Sequence, residues 1–99
     1  MKKNILLDEF APIISSKESG SIIYNRIKDA NPQENEITID MRNIKSMATY
    51  CAKQIFGRLY VELGQSTFSK NIIIKNASDN VKLIIQLGIR FAIESEPRF

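Results

Sequence analysis

Residues 37–59 read ITIDMRNIKSMATYCAKQIFGRL, and the pattern changes midway. Ile37-Thr38-Ile39-Asp40-Met41 alternates apolar with polar, the period of a β-strand. A polar loop follows. From about Thr49 to Leu63 the spacing is helical, with Ala48, Ala52, Ile55, Phe56, Leu59 and Leu63 on one face and Gly64 as the natural C′ residue. Three hydroxyl side chains, Ser46, Thr49 and Tyr50, lie at the changeover. A helix cap and a regulatory switch are both open readings of that cluster.

Working outward, Ile5-Leu6-Leu7 suits a first strand. Ser15-Ser16-Lys17-Glu18 carries a hydroxyl with glutamate three positions on, the pattern of a capping box. Ile22, Ile23, Ile27 and Ala30 continue at helical spacing, weakened early by Gly20 and Ser21 and stopped by Asn31-Pro32. Downstream, Asn71-Ile72-Ile73-Ile74-Lys75 is an unbroken apolar run, which reads as a strand that is central or buried on both faces. Ser78-Asp79 opens a third helix with Val81, Ile84, Ile85, Gly88 and Ala92 inward. Residues 89–95 also alternate, so a strand after Gly88 competes there, but the helical period persists through Ala92 and favours a continuous helix.

The order β-α-β-α-β-α predicts one α/β domain over residues 1–99, with right-handed crossovers, a mostly parallel sheet and three helices. Three helices leave one sheet face thinly covered. The bulk numbers agree with a soluble globular chain: 99 residues, 43% hydrophobic, 25% charged. The leading MKKNILLDEFAP has its apolar run cut by Asp8 and Glu9, so no signal peptide is expected and a cytoplasmic location is the default. No run approaches the ~20 apolar residues of a membrane span.

The chain has no histidine and a single cysteine, Cys51. Ser-His-Asp and Cys-His catalysis therefore lack their base, and neither a structural zinc nor a disulfide framework is expected. The close acidic pairs Asp8-Glu9, Glu34/Glu36 and Glu94/Glu96 flank element ends and read as solubilising charge. There is no Gly-rich phosphate loop. A non-enzymatic protein without metal or cofactor is the expectation. The net charge of +3 is scattered, which reads as a solvated surface rather than a nucleic-acid interface.

The strand ending in Ile39-Asp40, the anchors Ile44 and Met47, the helix opened by Thr49 and continued by Ala52, and the run Phe56-Gly57-Arg58-Leu59-Tyr60 resemble a known family. Asn76-Ala77-Ser78-Asp79-Asn80-Val81-Lys82 is similar to its next strand-to-helix turn. The fold is STAS, named for sulfate transporters and anti-sigma-factor antagonists, and the closer likeness is to the small STAS-like domains of unknown function. In the antagonists the helix opens with Asp-Ser-Ser, and a partner kinase phosphorylates the first serine. By position Ala48 replaces the acid, Thr49 the phospho-accepting serine and Tyr50 the next serine. The resemblance implies a protein-interaction module whose partner is a kinase-type ATPase or an anti-sigma-like protein, with Thr49 the candidate phospho-acceptor.

Around it, Ser46, Thr49, Tyr50 and Lys53 are candidate partner contacts, with Arg42 and Lys45 near enough in sequence to assist a phosphate. Leu83 and Leu87, pointing away from the inner face of the last helix near Phe91, form a second candidate patch for a partner or a homodimer. A different function remains open: a small-ligand or nucleotide sensor using Asp40 and Asn76 at the C-terminal ends of the strands. For Asp40, a structural bond to loop amides competes with that role.

Overall fold

A computed structural model describes residues 1–95; Glu96, read above as half of an acidic pair, lies outside them. The elements are β1 (Lys2–Leu6), β2 (Ile13–Ile14), α1 (Lys17–Asp29), β3 (Glu36–Asp40), β4 (Ser46–Met47), α2 (residues 49–63), α3 (Gln65–Asn71), β5 (Ile72–Lys75) and α4 (Asp79–Ser95). One sheet has the order β1-β3-β5, parallel throughout, with Ile5 beside Ile39 and Ile39 beside Ile74. β2 and β4 form a separate, short parallel pair.

The alternation of β3 buries Ile37 and Ile39 completely beneath the helices, together with Ile5 and Ile72 from its neighbours. The opposite sheet face leaves Leu6 49% and Ile73 36% exposed, the thin cover expected from the sequence. The core continues through Leu7, Ile14, Ile23, Ile27, Met41, Met47, Ile55, Phe56, Leu59 and Val81.

Several boundaries differ from the sequence reading. β1 begins at Lys2, because the backbone of residues 2–6 pairs with β3 whatever side chains it carries. The N-cap of α1 is Ser16, not Ser15: its hydroxyl accepts from the Ser19 amide at 3.0 Å, a contact worth about 1 kcal/mol. Ile22 is 44% exposed, and Tyr24 takes the inward place beside Ile23 and Ile27.

There are four helices among the described residues, not three. The additional α3 was hidden because QSTFSKN has no apolar period and follows a glycine that ends α2. Gly64, at φ 85° and ψ 158°, adopts a backbone reserved almost wholly for glycine and turns the chain straight into α3. An edge-to-face contact of Tyr60 with Phe68, ring centroids 5.2 Å apart, holds the short helix down.

β5 is an edge strand rather than a central one. Three successive isoleucines cannot distinguish an edge beside a helix from a buried centre. Residues 89–95 are helical, the outcome the 3.6-residue period favoured. Gly88 does not end α4; it is where α4 closes on α2. A Cβ there would lie 2.6 Å from the Ala52 carbonyl carbon and from the Lys53 nitrogen.

α2 itself is not uniform. Two α-helical stretches, Thr49–Ala52 and Arg58–Leu63, flank a π-turn over Lys53–Gly57. Ile55, Phe56 and Gly57 are all buried within it. π-turns insert one residue into a helix and recur at functional sites.

Candidate functional site

The start of α2 is positioned by the short β2–β4 pair. Ile13 lies beside Ser46 and Ile14 beside Met47, while the Lys45 amide donates to the Pro12 carbonyl at 2.7 Å and the Ala48 amide to Ile14 at 2.8 Å. Ala48, still extended at ψ 140°, is therefore the N-cap, and no side chain caps the helix. This corrects the capping reading: Ser46 is held in β4, and Thr49 is already the first helical residue. Thr49 is half-buried and Tyr50 is 54% exposed. The amides of the first turn thus lack a side-chain acceptor.

The following turns grip the entry to α1. The Tyr50 hydroxyl donates to the Ser15 carbonyl, the Cys51 thiol to Ser16 at 3.4 Å and the Gln54 amide to Lys17 at 3.0 Å. Burial raises the Cys51 pKa. A fully buried, protonated thiol is a structural donor, not a nucleophile.

Beyond Tyr50 a groove of about 430 Å3 runs along α2 over the π-turn, lined by Tyr50, Lys53, Arg58, Val61 and, across it, Ala92 and Ser95 of α4. The far wall exists because Gly57 and Gly88 let α4 approach so closely. Glu62, which also lines it, is consumed internally. It accepts from Tyr24, from Lys28 at 3.3 Å and from Arg58 at 3.2 Å, while the Arg58 guanidinium stacks 4.2 Å from the Tyr24 ring centroid. Burial alone raises the Glu62 pKa, but the bonds from Tyr24, Lys28 and Arg58 outweigh it and hold the carboxyl below its usual value. For Tyr24, burial and then the bond to Glu62 push the phenol up to about 12.

Tyr50 and Lys53 thus line one groove next to Thr49. Leu83, 56% exposed, and half-buried Leu87 do not line it. Of the residues lining the groove, the sequence marks only Tyr50 and Lys53 as candidate partner contacts. The Arg58–Glu62 spacing of four was a visible helical pair, but the Tyr24 contact joins residues 38 positions apart and has no local signal.

Asp40 and Asn76 do meet, at the C-terminal ends of β3 and β5. Asn76, at φ 62°, donates to Asp40 Oδ1 at 3.1 Å. The Arg42 backbone amide donates to the same oxygen at 3.0 Å, and its guanidinium grips Oδ2 at 2.5 and 3.1 Å. Arg42 is therefore committed to Asp40 and not directed to Thr49. Asn76 lines an open depression with Arg42, Ile44, Lys45, Ala77 and Ser78. The hydrogen bonds from Arg42, then from Asn76, hold the Asp40 carboxyl far below its ordinary value.

A depressed folded-state pKa contributes stability that is fully present above the unfolded value near 4 and is lost as pH falls toward the folded one. The Asp40 contribution is thus constant from pH 7 to about 4 and declines below it. Asp40→Asn lowers stability at neutral pH and flattens the acid limb of a stability–pH profile measured by urea unfolding; a parallel downward shift with an unchanged acid limb contradicts the clamp.

Among the described residues no group of three or more Cys, Asp or Glu side chains is placed to hold a metal ion, and no helix is long and apolar enough to cross a membrane. A family model described as a STAS-like domain of unknown function matches residues 19–82, and the chain belongs to that family. Comparison with curated proteins and with solved structures returned no match.

Proposed function

We propose that this STAS-like domain is a non-enzymatic regulatory module that docks a protein partner over the start of α2, with the charge at Thr49 deciding whether the partner stays. The observation that carries the reading is the uncapped helix start: Thr49 is the first helical residue, no side chain caps its turn, and exposed Tyr50 and Lys53 continue into the groove beside it. A phosphate on Thr49 would stand at the positive end of the helix dipole beside the Thr49 and Tyr50 amides, the Cys51 amide being already bonded to the Ala48 carbonyl at 3.0 Å. Lys53, four residues on, stands on the same helix face. The added charge of roughly −2 reverses the local field and repels an acidic partner surface. The likeness to anti-sigma-factor antagonists points to a kinase-type ATPase or an anti-sigma-like protein as that partner, in the cytoplasm.

The ligand-sensor alternative keeps the depression beside Asn76, but Asp40 and Asn76 spend polar atoms on each other and on Arg42. That favours a structural clamp over ligand recognition. The module reading is tested by affinity capture with wild type, Thr49→Ala and Thr49→Glu. A protein retained by the first two and released by the third is the expected outcome. Identical retained proteins with all three remove Thr49 from the account.

A further inference from the structure

The outer edge of β5 has a geometry that the docking site on α2 does not use. The Lys75 carbonyl accepts from the Met41 amide at 2.9 Å, so Lys75, and with it Ile73, turns its backbone groups to β3. The Ile72 amide bonds instead to Phe68. By the alternation of a strand, the amide and carbonyl of Ile74 face outward, where no further strand pairs with β5 among the described residues. Edges of sheets are normally blunted by charge, proline or a bulge. The other edge, β1, carries Lys2 and Lys3 within the strand; β5 is Ile72-Ile73-Ile74 with Lys75 only at its end.

Beside this edge the first turns of α4 leave a depression of about 170 Å3 lined by Ile74, Lys82, Ile85 and Gln86. An edge strand flanked by a helix with an apolar pocket between them is the geometry of strand addition, in which main-chain bonds hold an extended peptide and alternate side chains enter pockets. The charged side chains here, Lys75 on the strand and Lys82 in the depression, are both exposed cations with no ion pair among the described residues.

We infer that the β5 edge is a strand-addition site for an extended, acidic segment of a protein partner, whose backbone pairs with Ile74 and whose alternate apolar side chain enters the depression against Ile85. A second copy would bring only further lysines to this edge, whereas an acidic segment complements exposed Lys75 and Lys82.

The probe is a phage-displayed library of short random peptides panned against the full chain, with enriched peptides synthesised and their binding followed by amide hydrogen exchange. Enrichment of acidic peptides with alternating apolar residues, slowed exchange of the Ile74 amide, and loss of binding on N-methylating one set of alternate peptide residues but not the other support the site. Ile74→Pro removes the outward donor at an edge position that tolerates proline. Because it also removes a half-buried side chain, the surface variant Lys75→Glu/Lys82→Glu serves beside it and is expected to weaken binding about tenfold. Absence of enrichment overturns the proposal. So does binding that the charge-reversed variant leaves unchanged, or protection confined to the α2 groove. Concentration-dependent protection of Ile74 without peptide assigns the edge to a second copy and overturns it equally.

Discussion

Gly88→Ala is expected to lower the unfolding free energy by about 3 kcal/mol, a large share of the roughly 5–15 kcal/mol that holds a domain of this size together. Two effects of opposite sign compete. Alanine is the better helix former by about 1 kcal/mol, and in an exposed helix it would win. Here the added methyl would lie 2.6 Å from the Ala52 carbonyl carbon and the Lys53 nitrogen, and 2.7 Å from the Ala52 methyl. Two of these atoms are backbone, so no rotamer change relieves the clash and α4 must move off α2. Gly57→Ala meets Ala92 and the Gly88 carbonyl at 2.7 Å and has the same consequence. Once either methyl has parted the helices the second finds room, so the double variant costs less than the sum of the singles. Urea midpoints with unchanged m-values read the effect; a Gly88→Ala variant within about 1 kcal/mol of wild type contradicts this close approach.

Phe56→Ala is expected to cost about 4 kcal/mol. Phe56 heads the fully buried side chains by volume and is 0% exposed. It sits in the π-turn of α2, a segment of that helix that packs against both α1 and α4. Truncation forfeits the transfer energy of a benzyl group and leaves a cavity the surrounding helices cannot fill without breaking their own contacts. Phe56→Leu keeps most of the volume and costs roughly half as much. Thermal and urea unfolding check both, and a smaller loss for alanine than for leucine would show that Phe56 is strained rather than packed.

The fold was legible where the period was long. Ala52, Ile55, Phe56, Leu59 and Leu63 all face the core as their spacing required, and the last helix runs through Gly88 because its pattern continues to Ala92. The departures share one cause: the deciding contact is distant in sequence. Ile72-Ile73-Ile74 looks central until the strand order places it at an edge. α3 shows no apolar face because it is held by Gly64 behind it and by Phe68 against Tyr60. The π-turn has no local signal, and the groove over it depends on glycines in two helices that meet only in the folded chain.

The site was legible in the same proportion. Thr49 emerged from the changeover of strand to helix, and Asp40 with Asn76 from the ends of two strands. That Ala48 rather than a hydroxyl residue caps α2 follows from the β2–β4 pair, two residues from each strand, too short to carry a pattern. Arg42 looked available to Thr49 on the basis of proximity in sequence, yet the buried carboxylate two residues before it claims the guanidinium first.

In the proposed module, charge at Thr49 governs docking over the start of α2. Its most direct measurement is the dissociation constant of the captured partner, by titration calorimetry, for wild type, Thr49→Ala and Thr49→Glu. Near-equal affinity is expected for wild type and alanine, and a loss of at least about tenfold for glutamate. Equal affinity for all three proteins, each folded to the same extent, would contradict it.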